Sequence, residues 1–167
     1  MRSKGTSRVK DKLFVKADAA WDRGDLQQAF QLFLQAAELG DSSSQLDVGY
    51  FYDRGLHVKK DKKQAIHWYY QAYRQGVACA ANNIATVHRE WGHVEKMLWW
   101  FRRAVAMGEQ DALFELGKYY ETAVGRANNP KKAKDCYRRI LRSKHVTQLT
   151  REGAMRRLAR LEKHERH

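Results

Sequence analysis

Displaced by 68 residues, the sequence falls on itself without a gap: Gly49 meets Gly117, Tyr52 meets Tyr120, Asp61 meets Asn129, Ala65 meets Ala133 and Tyr69 meets Tyr137. Copies of one supersecondary unit cannot each hide an apolar face alone, so they stack, and the chain becomes a solenoid. Gly40, Gly76 and Gly108 close successive helix-like stretches. The units run 13–40, 41–76, 77–108 and 109–143, and a final stretch follows them.

Within each unit the apolar spacing is helical and a break divides it into two helices, A and B. In the second unit Asp41 caps helix A and Gly55 ends it, while Asp61 caps helix B and Gly76 closes it. Ala65, Trp68, Tyr69 and Ala72 stand at i, i+3, i+4 and i+7, one face wide enough to pack. Asn129 followed by Pro130 opens the B helix of the fourth unit. Gly49 and Gly117 each cost a helix ~1 kcal/mol relative to Ala, so their recurrence implies close approach of neighbouring backbones, with Ala85 serving in the third unit. The expected fold is all-α: an α/α superhelix of about four helix-turn-helix repeats plus a C-terminal capping helix within 144–167, preceded by a basic flexible tail over 1–12.

The 167 residues are 43% hydrophobic and 31% charged, too apolar for a disordered polymer. The longest apolar run, Met97 to Phe101, falls far short of the ~20 residues that cross a bilayer, and residues 1–12 lack a secretory apolar stretch. A cytoplasmic location is expected. Cys79 and Cys136 lie 57 residues apart and read as small buried residues rather than a bridge. The net charge of +13 sits at the ends: residues 13–125 hold 13 basic and 14 acidic side chains, and 126–167 hold 14 basic and 4 acidic.

The stretch Val48-Gly49, Tyr52, Gly55, followed by Gln64-Ala65 and Trp68-Tyr69, resembles the Sel-one-like repeat, a tetratricopeptide relative. Leu116-Gly117, Tyr120, Lys132-Ala133 and Tyr137 repeat the pattern. The third unit keeps Trp100-Phe101, Ala104 and Gly108 but shortens the loop to Glu90 to Val94, and the first has a short loop at Gly24-Asp25. The resemblance implies a protein-binding scaffold, as in similar bacterial proteins of regulation, secretion or toxin neutralisation, and brings no catalytic residues or cofactor.

By analogy with tetratricopeptide packing, the A helices line a concave groove. The residues expected to face it are Asp22, Tyr50, Asp53, Asn82, Thr86, Arg89, Phe114, Lys118 and Glu121. Adaptor, inhibitor and immunity roles all fit such a groove, and the cationic ends suggest a partner with an acidic surface. The alternative is binding of nucleic acid or anionic membrane through Arg138, Arg139, Arg142, Arg156, Arg160 and Lys163. Ala154, Leu158 and Leu161 would form the apolar stripe of the capping helix. His88 and His93, five apart, diverge if they share one helix, so no metal site is expected. The run Trp99-Trp100-Phe101 cannot bury all three rings on one helix.

Overall fold

The computed structural model describes residues 4–123, 128–144 and 146–163. Among them the elements are α1 (Lys4–Asp22), α2 (Leu26–Glu38), α3 (Ser42–Arg54), α4 (Lys62–Arg74), α5 (Ala78–Glu90), α6 (Val94–Ala106), α7 (Gln110–Thr122), α8 (Pro130–Arg142) and α9 (Gln148–Lys163). No described residue is in a strand, and no helix is long and apolar enough to cross a membrane. Odd-numbered helices pair with the even-numbered helix that follows, each pair stacks on the next, and α9 packs on α8. We refer to α1, α3, α5 and α7 as the A layer and to α2, α4, α6 and α8 as the B layer.

The boundaries follow from local chemistry. Asp25, Asp41, Asp61 and Asn129 each accept a backbone N–H of the first turn they precede, and Pro130 stands at the first position of α8. Gly55 ends α3 in the left-handed region at φ 72°, a conformation that a side chain would strain. Thr147 Oγ1 accepts the Thr150 N–H at 3.2 Å and opens α9.

The expected flexible segment over 1–12 is corrected. Residues 4–12 are the first turns of α1, because Lys and Arg favour helix and no proline interrupts the run. Lys10 Nζ donates to the Gly40 carbonyl at 3.5 Å, tying these turns to the end of the first unit. Residues 1–3, 145 and 164–167 of the expected basic ends lie outside the described residues.

The close approach expected at Gly49 and Gly117 exists, but backbones do not make it. A Cβ on Gly49 would sit 2.5 Å from the Tyr69 ring, and one on Gly117 would sit 2.6 Å from the ring of Tyr137. Each tyrosine reaches over its glycine to a carboxylate four residues further along the A helix. Tyr69 Oη donates to Asp53 at 3.5 Å and Tyr137 Oη to Glu121 at 2.7 Å. The short-loop units carry Ala17 with Phe33 and Ala85 with Phe101 at these positions, and Trp21 and Arg89 where the carboxylate would stand. Where the hydroxyl is missing, its acceptor is missing too. Units one and three form one type and units two and four another, so the 68-residue shift is the period of a double unit.

Three buried clusters make the core, one around Phe33 and Phe51, one around Tyr69 and Ile84, and one around Phe101, Leu113 and Tyr137. Ala154 is fully buried in the last, with Leu158 and Leu161 packed beside it, so α9 covers the end of the stack. Of the aromatic triplet, Phe101 is buried, Trp100 half-buried and Trp99 exposed.

Candidate functional site

Five of the nine expected groove residues lie at the A-layer surface. Asp22, Tyr50 and Arg89 are exposed, and Thr86 and Lys118 are half-buried. Tyr50 packs against the Trp21 ring (centroids 6.1 Å apart) with the Arg54 guanidinium 5.5 Å from its own ring. Thr86 Oγ1 donates to the Asn82 carbonyl at 3.2 Å. Arg89 of α5 pairs with Glu115 of α7, which Lys118 also reaches at 2.8 Å.

The other four are placed differently. Asp53 is buried, and besides Tyr69 it receives Lys62, which also pairs with Glu90 of the next A helix at 2.7 Å. The Glu121 side chain is 6% exposed and accepts from Tyr137, Arg157 and Arg160. Burial raises the Glu121 pKa, but the hydrogen bonds from Tyr137, Arg160 and Arg157 outweigh it and hold the carboxyl below its usual range. Phe114 lies under α9: a Cβ on Gly153 would come within 2.8 Å of its ring, and Arg157 stands 5.9 Å from the ring centroid. Asn82 is half-buried, with its Oδ1 enclosed and without a hydrogen-bond partner. Asp53 and Glu121 therefore hold elements together, and α9 occupies the face that Phe114 was expected to present.

Charge differs between the layers: α1 adds Lys4, Arg8, Lys10, Lys12 and Lys16 against Asp11, Asp18 and Asp22, so the A layer is near neutral as a whole and its acidic excess is confined to α3, α5 and α7. Helices α4, α6 and α8 carry twelve Lys and Arg against Glu95 and Asp135. Helices α3, α5 and α7 carry Asp47, Asp53, Glu90, Asp111, Glu115 and Glu121 against Arg54, Arg89 and Lys118. Asp47, which the groove expectation omitted, has its pKa pushed up to about 7 by burial first, then by the nearby charges of Asp18 and Asp41. Burial also pushes the Cys79 thiol up, with Glu109 and Asp47 adding to it. Asp18 and Asp41 thus act on Asp47 at the α1–α3 end, and Asp47 and Glu109 both act on Cys79. The expectation of a partner with an acidic surface rested on the net charge, to which the local excess on α3, α5 and α7 runs opposite. Tallying charge by alternate helix would have shown it.

The six basic residues expected to bind anions are all exposed, and three of them line two different hollows. Arg139 lines the cleft between α6 and α8 with Arg102 and Lys132, whereas Arg156 and Arg160 flank the hollow above Phe114. Arg138 is paired with Glu162 at 2.6 Å and Arg160 with Glu121. The expected divergence of His88 and His93 is corrected: α5 ends at Glu90 and the chain turns at Gly92, which brings the rings to 5.7 Å. Among the described residues no group of three or more His, Cys, Asp or Glu is placed to hold a metal ion.

The sequence profile of the Sel1 repeat matches residues 22–41, 42–77 and 110–145. Chitin synthase regulatory factor 1 of Schizosaccharomyces pombe is 30% identical over 108 residues, 60% of this chain and 24% of that protein, so the chain spans about a quarter of this relative. A Sel1 repeat protein from Oxalobacter formigenes superposes with a TM-score of 0.67 at 24% identity, over 83% of this chain and 60% of that one. A protective antigen of uropathogenic Escherichia coli displaying an SLR fold gives 0.67 at 28% identity, over 78% of this chain and 30% of the antigen.

Proposed function

Because the chain belongs to the Sel1 repeat family, we propose that it is a scaffold that holds another protein against its A-layer face, and that the segment held is cationic. Repeat proteins of this kind generally mediate protein–protein interaction and are typically not catalytic. The observation that carries the charge assignment is the acidic excess on α3, α5 and α7, with Asp47 kept from ionising at its usual pH first by burial and then by the charges of Asp18 and Asp41. Such a face is destabilised by its own repulsion, and a Lys- or Arg-bearing segment relieves that repulsion when it docks. Regulation or neutralisation of the captured protein is the role this capture serves.

Calorimetric titration with a Lys/Arg-rich and a Glu-rich peptide of equal length tests the reading. The basic peptide is expected to bind and to weaken with salt, and Asp18→Asn with Asp47→Asn to weaken it about tenfold or more. Preference for the Glu-rich peptide would refute it.

A second reading rests on the basic B layer. Its cationic side chains on α4, α6 and α8 suit the phosphates of a nucleic acid or an anionic membrane, held without base readout. Gel-shift and vesicle-sedimentation assays check this: binding should fall steeply with salt and drop further in Arg139→Glu with Arg142→Glu. No binding to either at low salt removes the second reading.

A further inference from the structure

The third unit lies outside the matched repeats and holds a cavity of about 270 Å³ between α5, α6 and α7. Buried Met97 and Phe101 line it with Val94 and Tyr119, and the charged side chains Arg89, Glu115 and Lys118 line it as well. The double-unit period says what fits there. Displaced by 68 residues, Arg89 falls on Trp21, and Phe101, Lys118 and Tyr119 fall on Phe33, Tyr50 and Phe51. In the first unit the Trp21 indole fills this position, edge-on to Phe51 with centroids 5.1 Å apart and 6.1 Å from Tyr50. In the third unit the equivalent residue is an arginine, which pairs with Glu115 on the cavity lining and puts no ring over Phe101 and Tyr119.

We propose that this cavity is a binding site for one aromatic side chain of the partner protein, tryptophan before others, in the seat that Trp21 fills within the first unit. This rests on the scaffold reading and adds an anchor residue to it. The size agrees, since drug-sized ligands occupy pockets from about 300 Å³ upward and a single side chain needs less. The chemistry agrees as well: a flat ring covers Phe101 and Tyr119 while Arg89 and Lys118 remain at the mouth to meet the ring face or the neighbouring backbone carbonyls. An aromatic group inserted into a desolvated pocket is the usual form of an interface hot spot.

The test is an NMR titration of the full chain with N-acetyltryptophanamide, with N-acetylleucinamide as control. Saturable shifts at Val94 and Tyr119 are expected with a Kd of about 1 mM, the affinity a fragment of this size reaches. Arg89→Trp restores the first-unit residue, and is expected to keep the helical circular dichroism and to weaken binding about tenfold or more. Should that variant not fold, Val94→Trp, at an exposed position on the mouth, blocks the same seat. No saturable shift up to about 10 mM, an equal response to the leucine amide, or unchanged binding in a folded blocking variant overturns the proposal. The uncharged amide does not depend on the acidic face. Loss of basic-peptide binding with an intact amide response therefore removes the scaffold's charge assignment alone, and the reverse pattern removes the aromatic seat alone.

Discussion

Asp47 shows how a single side chain can oppose folding in the service of a surface. Its carboxyl binds a proton more tightly in the folded chain than in the unfolded one, because burial and the charges of Asp18 and Asp41 disfavour the anion. The stability this gives is fully present below the ordinary carboxylate pKa and is lost as pH rises towards 7. Asp47→Asn is expected to raise stability at pH 8 by about 1–2 kcal/mol, discounted for partial exposure, and to change little at pH 4, as read by urea melts at both pH values. Gly117 belongs to the same scale. Gly117→Ala gains helix propensity but drives a methyl into the Tyr137 ring, and a net loss of about 1–2 kcal/mol is expected in the same melts. The sequence makes a small residue legible at positions 49 and 117. The tyrosine ring that requires it stands twenty residues away on another helix, which local spacing does not encode.

At the scale of elements, α9 is the piece whose role local sequence describes least well. Its apolar stripe through Ala154, Leu158 and Leu161 is plain from spacing, and the helix packs as that stripe implies. Its grip on α7 is not visible there, because Glu121 is 36 and 39 residues from Arg157 and Arg160. These bonds should make docking of α9 sensitive to acid. Glu121 has a lowered pKa, so its contribution is present above the ordinary glutamate pKa and is lost as pH falls through the folded value. Glu121→Gln is expected to abolish that acid-dependent part and to raise amide exchange in α9 before α3 and α4 respond, measured by hydrogen exchange at pH 7. Uniform exchange along the stack would mean that α9 is not a separable cap. The helix starts at Asp41, Asp61 and Asn129 were readable because a cap acts within one turn, whereas ion pairs between units are set only by stacking.

For the molecule as a whole, the alternation of two unit types and the uneven distribution of charge between the layers are the features on which the proposed function rests. Repeat, helix pairing and stop signals could be read directly from recurring glycines and caps. The near-neutral count over 13–125 concealed a basic excess on α4 and α6 and an acidic excess on α3, α5 and α7, since alternate helices of opposite character cancel along the chain. The account predicts that the A layer is where a partner makes contact. Hydrogen exchange of the full chain with and without a Lys/Arg-rich peptide addresses this most directly: slowed exchange should gather on α3, α5 and α7. Slowing confined to α4, α6 and α8 would contradict it.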